Sequence, residues 1–319
     1  MKKQQRLRRL CSSSAVNDRI QGMANFKSNL LKFRKVFTFL PLEKLLLLFV
    51  KGTEFQGNTS KIIPPPDLYR SGTIRRATRD GINFELDNSC LMQWFVYWGL
   101  KDKTRDSLYS LVKPGDTILD VGTNIGETLL NFARLTGPGG FVYGFEPDER
   151  NHKNVLRNIE LNRFENLHVF NLGVSDNKQT LKLFRVDPNN LGMNRILSET
   201  EAEQFDDFTT IEVDTIDNVI AENKIEKIDL IKIDIEGYEM HALRGARHLL
   251  ETQRPKLFIE VGYTRMLKNG TSPNEMIAYL QSFGYEVRHS ETDELIGKTH
   301  DFSPLGDGGI DVYAIAPSK

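Results

Sequence analysis

The sequence predicts an α/β fold built on a largely parallel β-sheet with helices on both faces, and three observations carry that reading. Apolar β-type runs recur at Thr117–Val121, Phe141–Phe145, Leu167–Leu172, Ile228–Ile233 and Lys256–Val261. Helical patterns fall between several of them, at Ile125–Leu135, Asp148–Asn162 and Tyr238–Leu250. A turn bearing two glycines, Asp120-Val121-Gly122-Thr123-Asn124-Ile125-Gly126, closes the first run and opens the first of those helices. Near-continuous apolar strands alternating with helices are what a sheet covered on two sides requires.

At 319 residues the chain has room for two units, or for one domain with a sizeable extension. Residues 1–66 read as an N-terminal extension, helical or partly mobile, ending in the stiff Pro64-Pro65-Pro66. Residues 67–112 read as a hairpin and helix that pack on the main domain. Ser71–Thr78 and Ile82–Leu86 flank Asp80-Gly81, a strong turn signal, and the aromatic-rich Leu91–Leu100 leads into a helix ending near Val112. Pro114-Gly115-Asp116 marks the entry to the main domain, 113–319. Within it, Thr180–Val213 departs from the alternation. Strand-like Leu181–Phe184 and Phe208–Val213 surround a polar loop there, and the segment reads as an insertion or an extra hairpin. Met276, Ile277, Leu280 and Phe283 have helical spacing, and Tyr285–Arg288 and Ile310–Ala316 follow as two closing strands.

Hydrophobic content of 39% and charged content of 27% are ordinary for a soluble globular chain. A net charge of −1 gives no support to a polyanionic partner, so nucleic acid is not expected. Cys11 and Cys90 are the only cysteines and lie far apart, which speaks against a disulfide scaffold or a cysteine zinc site and favours a cytoplasmic compartment. His241 and His248 are seven apart on a predicted helix and share a face. With no third ligand nearby they read as ordinary helix residues, and no metal is assigned. Lys2, Lys3, Arg6, Arg8 and Arg9 are basic, but no apolar segment follows them, so a secretory signal is not read. Val36–Val50 is interrupted by Pro41, Glu43 and Lys44 and is too short to span a membrane. It reads as a buried or docking helix. Lys27, Lys32, Arg34 and Lys35 upstream leave open a helix lying on a membrane surface.

Three sites carry chemistry. In the glycine turn, Gly122 and Gly126 let backbone approach a ligand, and the helix N-terminus favours an anionic group. The spacing is GxxxG, not the GxGxxG of dinucleotide sites. Asp120, just before the first glycine, would repel a pyrophosphate but attract an ammonium or sulfonium group. S-adenosyl-L-methionine offers both cations and a carboxylate, so it is favoured over a nicotinamide cofactor. Glu146, ending the next strand, lies where an acid can accept hydrogen bonds from both ribose hydroxyls. Ser175 and Asp176, after the third strand, either read an adenine amino group or form a simple turn. In Lys232-Ile233-Asp234-Ile235-Glu236-Gly237-Tyr238-Glu239, Asp234 and Glu236 sit at the C-terminal edge of an apolar strand, where open α/β sheets bind ligands. They could orient an acceptor hydroxyl, take its proton or hold a divalent metal. Alternatively Glu236 and Glu239 merely cap the next helix. Glu260 would add a third carboxylate to the same rim.

Taken together, DVGTNIG (120–126), GFEPD (144–148), LGVSD (172–176), DLIKIDIEGYE (229–239), LRGA (243–246) and KLFIEV (256–261) resemble the FkbM-type methyltransferase family. The resemblance covers about residues 113–262. It implies a Rossmann-like fold of the S-adenosyl-L-methionine-dependent methyltransferases, with a largely parallel seven-stranded sheet whose last strand is antiparallel. It also implies that Gly122, Asn124 and Gly126 contact the methionine portion, with Asp120 near its ammonium group and Glu146 on the ribose. Thr123 stands where such turns commonly have alanine. Members are associated with O-methylation of sugars and small molecules, so the expected acceptor is a hydroxyl on a glycan or natural product. The base is expected to be Asp234 or Glu236, with His241 one helical turn further on as a weaker candidate. A non-catalytic nucleotide-binding module and a nicotinamide-dependent oxidoreductase are the competing readings. The first would lack polar groups at the acceptor rim, and the second would need GxGxxG spacing and a hydride-relay pair.

Overall fold

The computed structural model describes residues 29–54, 61–187 and 190–317, so the basic start of the chain and Cys11 lie outside the described residues. A seven-stranded sheet forms the core, in the order β12-β13-β11-β10-β3-β4-β5. Its strands are β3 (Thr117–Val121), β4 (Phe141–Phe145), β5 (Leu167–Phe170), β10 (Leu230–Ile233), β11 (Lys256–Gly262), β12 (Glu286–His289) and β13 (Gly309–Ile315). β13 alone runs against its neighbours, pairing antiparallel with both β11 and β12. The sheet is therefore the Rossmann-like one expected, largely parallel with an antiparallel last strand.

Each face is covered by helices for the reason the apolar runs suggested. All four residues of β10 are buried, as are the last four of β3. One face packs α6 (Ile216–Glu222), α7 (Glu239–Arg244), α8 (Arg247–Thr252) and α10 (Pro273–Ser282) against Leu119, Ile231 and Ile259. The other packs α3 (Lys103–Ser110), α4 (Glu127–Thr136) and α5 (Glu149–Glu160) against Ile118, Val142 and Phe258. The chain leaves β3 towards β4 and β5, then returns on the other side of β3 through β10 and β11. The ends of β3 and β10 are thus the switch point at which open α/β sheets bind ligands.

Ahead of the sheet, β1 (Ile74–Arg79) and β2 (Ile82–Asp87) form a hairpin through Asp80 and Gly81, both at positive φ (51° and 83°) as a primed two-residue turn needs. The helix α1 (Leu40–Val50), α2 (Leu91–Trp98) and this hairpin enclose a cluster including Leu46, Val50, Ile63, Trp94, Tyr97 and Trp98. That cluster is continuous with Ile125 and Leu130 of the glycine turn and α4.

Two sequence expectations change. The aromatic-rich stretch read as leading into a helix is itself helical, α2, and is separated from α3 at Gly99, whose left-handed conformation (φ 62°) ends α2. The single helix read over Tyr238–Leu250 is α7 and α8. Gly245 lies so close to Ser175 that a Cβ would sit 2.1 Å from its carbonyl oxygen, and its own carbonyl accepts from Asp217 N–H at 3.0 Å. The Asp217 carboxylate then accepts from the N–H groups of His248 and Leu249, starting a fresh helix. His241 and His248 therefore do not share a helix face. The segment read as an insertion or hairpin is a second, four-stranded sheet, β6-β9-β7-β8, of β6 (Gly173–Val174), β7 (Gln179–Phe184), β8 (Arg195–Ile196) and β9 (Phe208–Asp214). β7 and β9 are its antiparallel centre.

Candidate active site

Two cavities open at the carboxyl ends of β3 and β10 and share Gly122, Asn124 and Asp234 as a common wall. The first, about 710 Å³ including its mouth, is lined largely by apolar groups. Phe145 and Leu172 come from the main-sheet side, and Val174, Leu183, Ile211 and Val213 from the second sheet. The second, about 810 Å³, is bordered by Met92 and Val96 of α2, Arg105 and Leu108 of α3, the start of α4, and the acids Asp234, Glu260 and Asp311.

Gly122 makes the close approach of β3 and β10 feasible. Its φ is +86°, and a Cβ there would lie 2.0 Å from the Asp234 carbonyl oxygen. Asn124 also has positive φ (53°), which aims its N–H at Glu146 Oε2, 2.7 Å away. Gly126, at φ +87°, begins α4 against Val155. Thr123 is accommodated as a buried residue whose hydroxyl donates to the Asp120 carbonyl at 2.9 Å.

The Glu146 carboxylate, 5% exposed, faces the first cavity. It accepts from Asn124 N–H and, at 3.0 Å, from Asp148 N–H, yet burial pushes it up to about 8. The Asn124 side-chain oxygen is also buried, without a hydrogen-bond partner.

Asp120 borders neither cavity. It is fully buried beneath the turn, accepts from the Thr128 hydroxyl at 2.7 Å and lies 3.5 Å from Lys232 Nζ. Burial raises its pKa in spite of that lysine. Lys232 also donates to the Gly122 carbonyl at 2.8 Å and stands 3.4 Å from Asp234. The cation beside Asp120 is thus a residue of the chain itself. Sequence reasoning quoted Lys232 but gave it no role; a lysine in the buried strand Leu-Ile-Lys-Ile was the available signal, since buried charges are paired.

Asp234 is half-exposed and faces both cavities. Glu236 follows in a left-handed conformation (φ 57°) that costs a non-glycine residue of order 1 kcal/mol or more and is often kept at sites. Glu239 holds this turn by accepting from Ile235 and Gly237 N–H at 3.2 and 2.9 Å, so it does cap locally as well. One oxygen each of Asp234, Glu236 and Glu260 lies within 4.8 Å of the others, among the described residues. Arg265 of α9 (Tyr263–Lys268) reaches two of them, with Nε 3.1 Å from Glu236 and Nη2 2.9 Å from Glu260. Gly237 and Gly262 leave room for this side chain, because a Cβ at either would lie within 2.8 Å of Arg265. A guanidinium therefore already contacts two of the three carboxylates that a metal would need. Burial, then Asp234, pushes Glu236 up to about 7; the same causes, joined by Glu236, raise Glu260 well above the ordinary carboxylate range. Asp311 stands directly across from Glu260 in the β11–β13 ladder, and burial and then Asp234 push it up to about 7. Arg265 and Asp311 had no readable sequence signal, since only the tertiary fold brings them to the rim.

Ser175, Asp176 and His241 form a separate group that borders neither cavity. Ser175 is buried, with its hydroxyl 3.3 Å from Asp176, and Asp176 lies 3.1 Å from His241 Nδ1. The Tyr238 ring stacks on His241, with centroids 4.1 Å apart, and itself borders the first cavity. The structure thus brings Gly122, Asn124, Glu146, Asp234 and Glu236 together and keeps His241 behind Tyr238.

A parallel sheet with this switch point, a glycine turn facing a strand-end acid, and a rim of carboxylates define the Rossmann-like methyltransferase class, whose methyl donor is S-adenosyl-L-methionine. Residues 120–287 match the family model of the methyltransferase FkbM domain, and the chain belongs to that family. Among curated relatives, the 2-O-methyltransferase NoeI of Sinorhizobium fredii is 26% identical over 155 residues, 45% of this chain and 63% of that protein. The chain thus spans just under two thirds of that relative. The 31-O-demethyl-FK506 methyltransferase FkbM of Streptomyces tacrolimicus is 28% identical over 214 residues, 59% of this chain and 79% of that protein. A solved FkbM methyltransferase from Methylobacillus flagellatus is 20% identical with a TM-score of 0.38, covering 67% of this chain and 55% of that one.

Proposed function

We propose that the chain methylates a hydroxyl oxygen of a sugar or small natural-product acceptor, using S-adenosyl-L-methionine. The observation that carries this reading is Asp234, which faces both cavities at the one wall they share. The first cavity suits the nucleoside: apolar walls for the base, and the Glu146 carboxylate for ribose hydroxyls. Gly122 and Asn124 stand where the methionine portion would meet backbone, and the orphaned Asn124 oxygen offers an acceptor to an ammonium group. Gly126 serves by starting α4. Asp120 acts indirectly, holding Lys232 against the turn. Ser175 and Asp176 support the cavity through Tyr238 and His241 rather than by contact.

When bound, the cofactor supplies a methyl carbon on a sulfonium. Asp234 accepts the acceptor's hydroxyl proton as the oxygen–carbon bond forms and the carbon–sulfur bond breaks, releasing S-adenosylhomocysteine. Lys232, 3.4 Å away, holds Asp234 at the shared wall, and Glu236 with Arg265 fixes the rim around it. Glu260 and Asp311 give hydroxyl groups further acceptors. A rim of this composition offers a polyol several hydrogen-bonding groups, which supports a hydroxyl-bearing acceptor.

Calorimetric titration with S-adenosyl-L-methionine, its demethylated product and NAD tests the reading. Micromolar binding of the first two is expected, and binding of NAD alone overturns it. Glu146→Gln is expected to weaken cofactor binding about tenfold or more, the worth of a hydrogen bond to a charged group. Because ribose hydroxyls favour the carboxylate, affinity should rise with pH through about 8 in the native chain and lose that dependence in the variant. Equal affinities for both proteins at all pH values would remove Glu146 from the site.

A further inference from the structure

We propose that the N-terminal segment 29–53 is a docking surface for an anionic lipid bilayer. Half of the large apolar side chains that are exposed among the described residues fall between Leu31 and Phe49. Phe33, Val36 and Phe39 are 52–65% exposed, and Leu45, Leu48 and Phe49 are 52–79% exposed. In α1 they form a stripe opposite the anchored face: Leu40, Lys44, Leu45, Leu48 and Phe49 point outward, while Glu43, Leu46 and Val50 are buried. An outward apolar stripe of this kind costs solubility unless something covers it.

The anchoring is specific enough to hold that stripe in place. Glu43 accepts from Arg75 Nε and from the Tyr97 hydroxyl, both at 2.7 Å, and Arg34 donates to the Ile63 carbonyl. These contacts fix which face of the helix looks away from the protein.

Charge identifies the occupant. Between residues 29 and 53 the only acid is Glu43, which is buried and already paired with Arg75. Lys32, Lys35, Lys44 and Lys51 are exposed on the same segment. Within the segment itself the exposed side chains offer apolar area and positive charge, and the exposed acids bordering it are Glu54 at its end and Asp67 beside Arg34. Four exposed lysines against two acids still give the pattern of an interfacial helix on anionic lipid. A soluble acidic protein would match the charge but leave the width of the apolar stripe unexplained. None of the described helices is long and apolar enough to cross a membrane, so the contact is one of lying on the surface.

Co-sedimentation of the full chain with phosphatidylcholine vesicles, with and without phosphatidylglycerol, decides the matter. The chain is expected to partition onto the phosphatidylglycerol vesicles, less so as salt rises. Leu48→Glu with Phe49→Glu is expected to weaken partitioning about tenfold or more, given the apolar area lost. Lys35→Glu with Lys44→Glu should abolish the preference for anionic lipid. All four positions are exposed, so the variants should melt like the native chain by circular dichroism and bind cofactor with native affinity by calorimetry. Absence of vesicle binding by the native chain overturns the proposal. So does a native dimer that Leu48→Glu with Phe49→Glu splits into monomers without any lipid effect, since the stripe would then be a contact between copies.

Discussion

Asp234→Asn should lower kcat by about 10²- to 10⁴-fold, the range a positioned proton acceptor supplies, while leaving cofactor affinity close to that of the native chain. The substitution preserves shape and removes the ability to take a proton. Its neighbour on one side is Lys232 at 3.4 Å, and on the other the second cavity, where Glu260 and Asp311 stand. Single-turnover rates and calorimetric affinities measured on the same preparations separate the two quantities. Equal losses in both would move Asp234 into the cofactor site, and an unchanged rate would mean that alignment alone drives transfer, as positioning can. His241→Ala provides the contrast. Its imidazole borders neither cavity and stacks behind Tyr238, so the rate should be nearly unaffected. Of the three residues named from the sequence as candidate bases, the geometry therefore favours one, leaves Glu236 as part of a charge pair with Arg265, and sets His241 aside.

The outcome of those assignments follows from what a linear pattern encodes. The positions of the parallel strands were legible because both faces of β3 and β10 are buried and their residues are mostly apolar, Asp120 and Lys232 apart. Gly122 and Glu146 were legible because each sits at a strand end, where position along the chain nearly fixes position in space. The side-chain partners of Asp120 were not. The residue stands before a glycine turn in either account, but whether its carboxylate meets a ligand or Lys232 depends on the parallel register that sets Asp120 beside Lys232. The same holds for Arg265 and Asp311, which reach the rim from α9 and β13. The break between α7 and α8 was hidden for a similar reason: local propensity continues through Gly245, and only Asp217, nearly thirty residues upstream, captures the carbonyl and the next N–H groups.

Lys232→Met is expected to cost about 3–5 kcal/mol of stability, the usual result of removing one partner from a buried pair. The lysine is 5% exposed and holds together Asp120 at 3.5 Å, Asp234 at 3.4 Å and the Gly122 carbonyl at 2.8 Å. Burial lowers its pKa, but the two carboxylates outweigh that and raise it overall, so it stays charged throughout the working pH range. Methionine fills similar volume and leaves Asp120 with only the Thr128 hydroxyl. The sign of the pH dependence follows. Asp120 already has a raised pKa, and without the ammonium it must rise further, so the folded variant binds a proton that the unfolded chain has released. The variant should therefore recover stability relative to the native chain as pH falls from neutrality, and lose most at high pH. Urea denaturation at several pH values measures this. Adding Asp120→Asn should restore more than half of the loss at neutral pH, because the uncompensated charge is then gone. If the double variant is as unstable as the sum of the single ones, the lysine is stabilising the turn through the Gly122 carbonyl and its bond to Asp234. The Asp120–Lys232 pair would then be incidental to the architecture of the glycine turn.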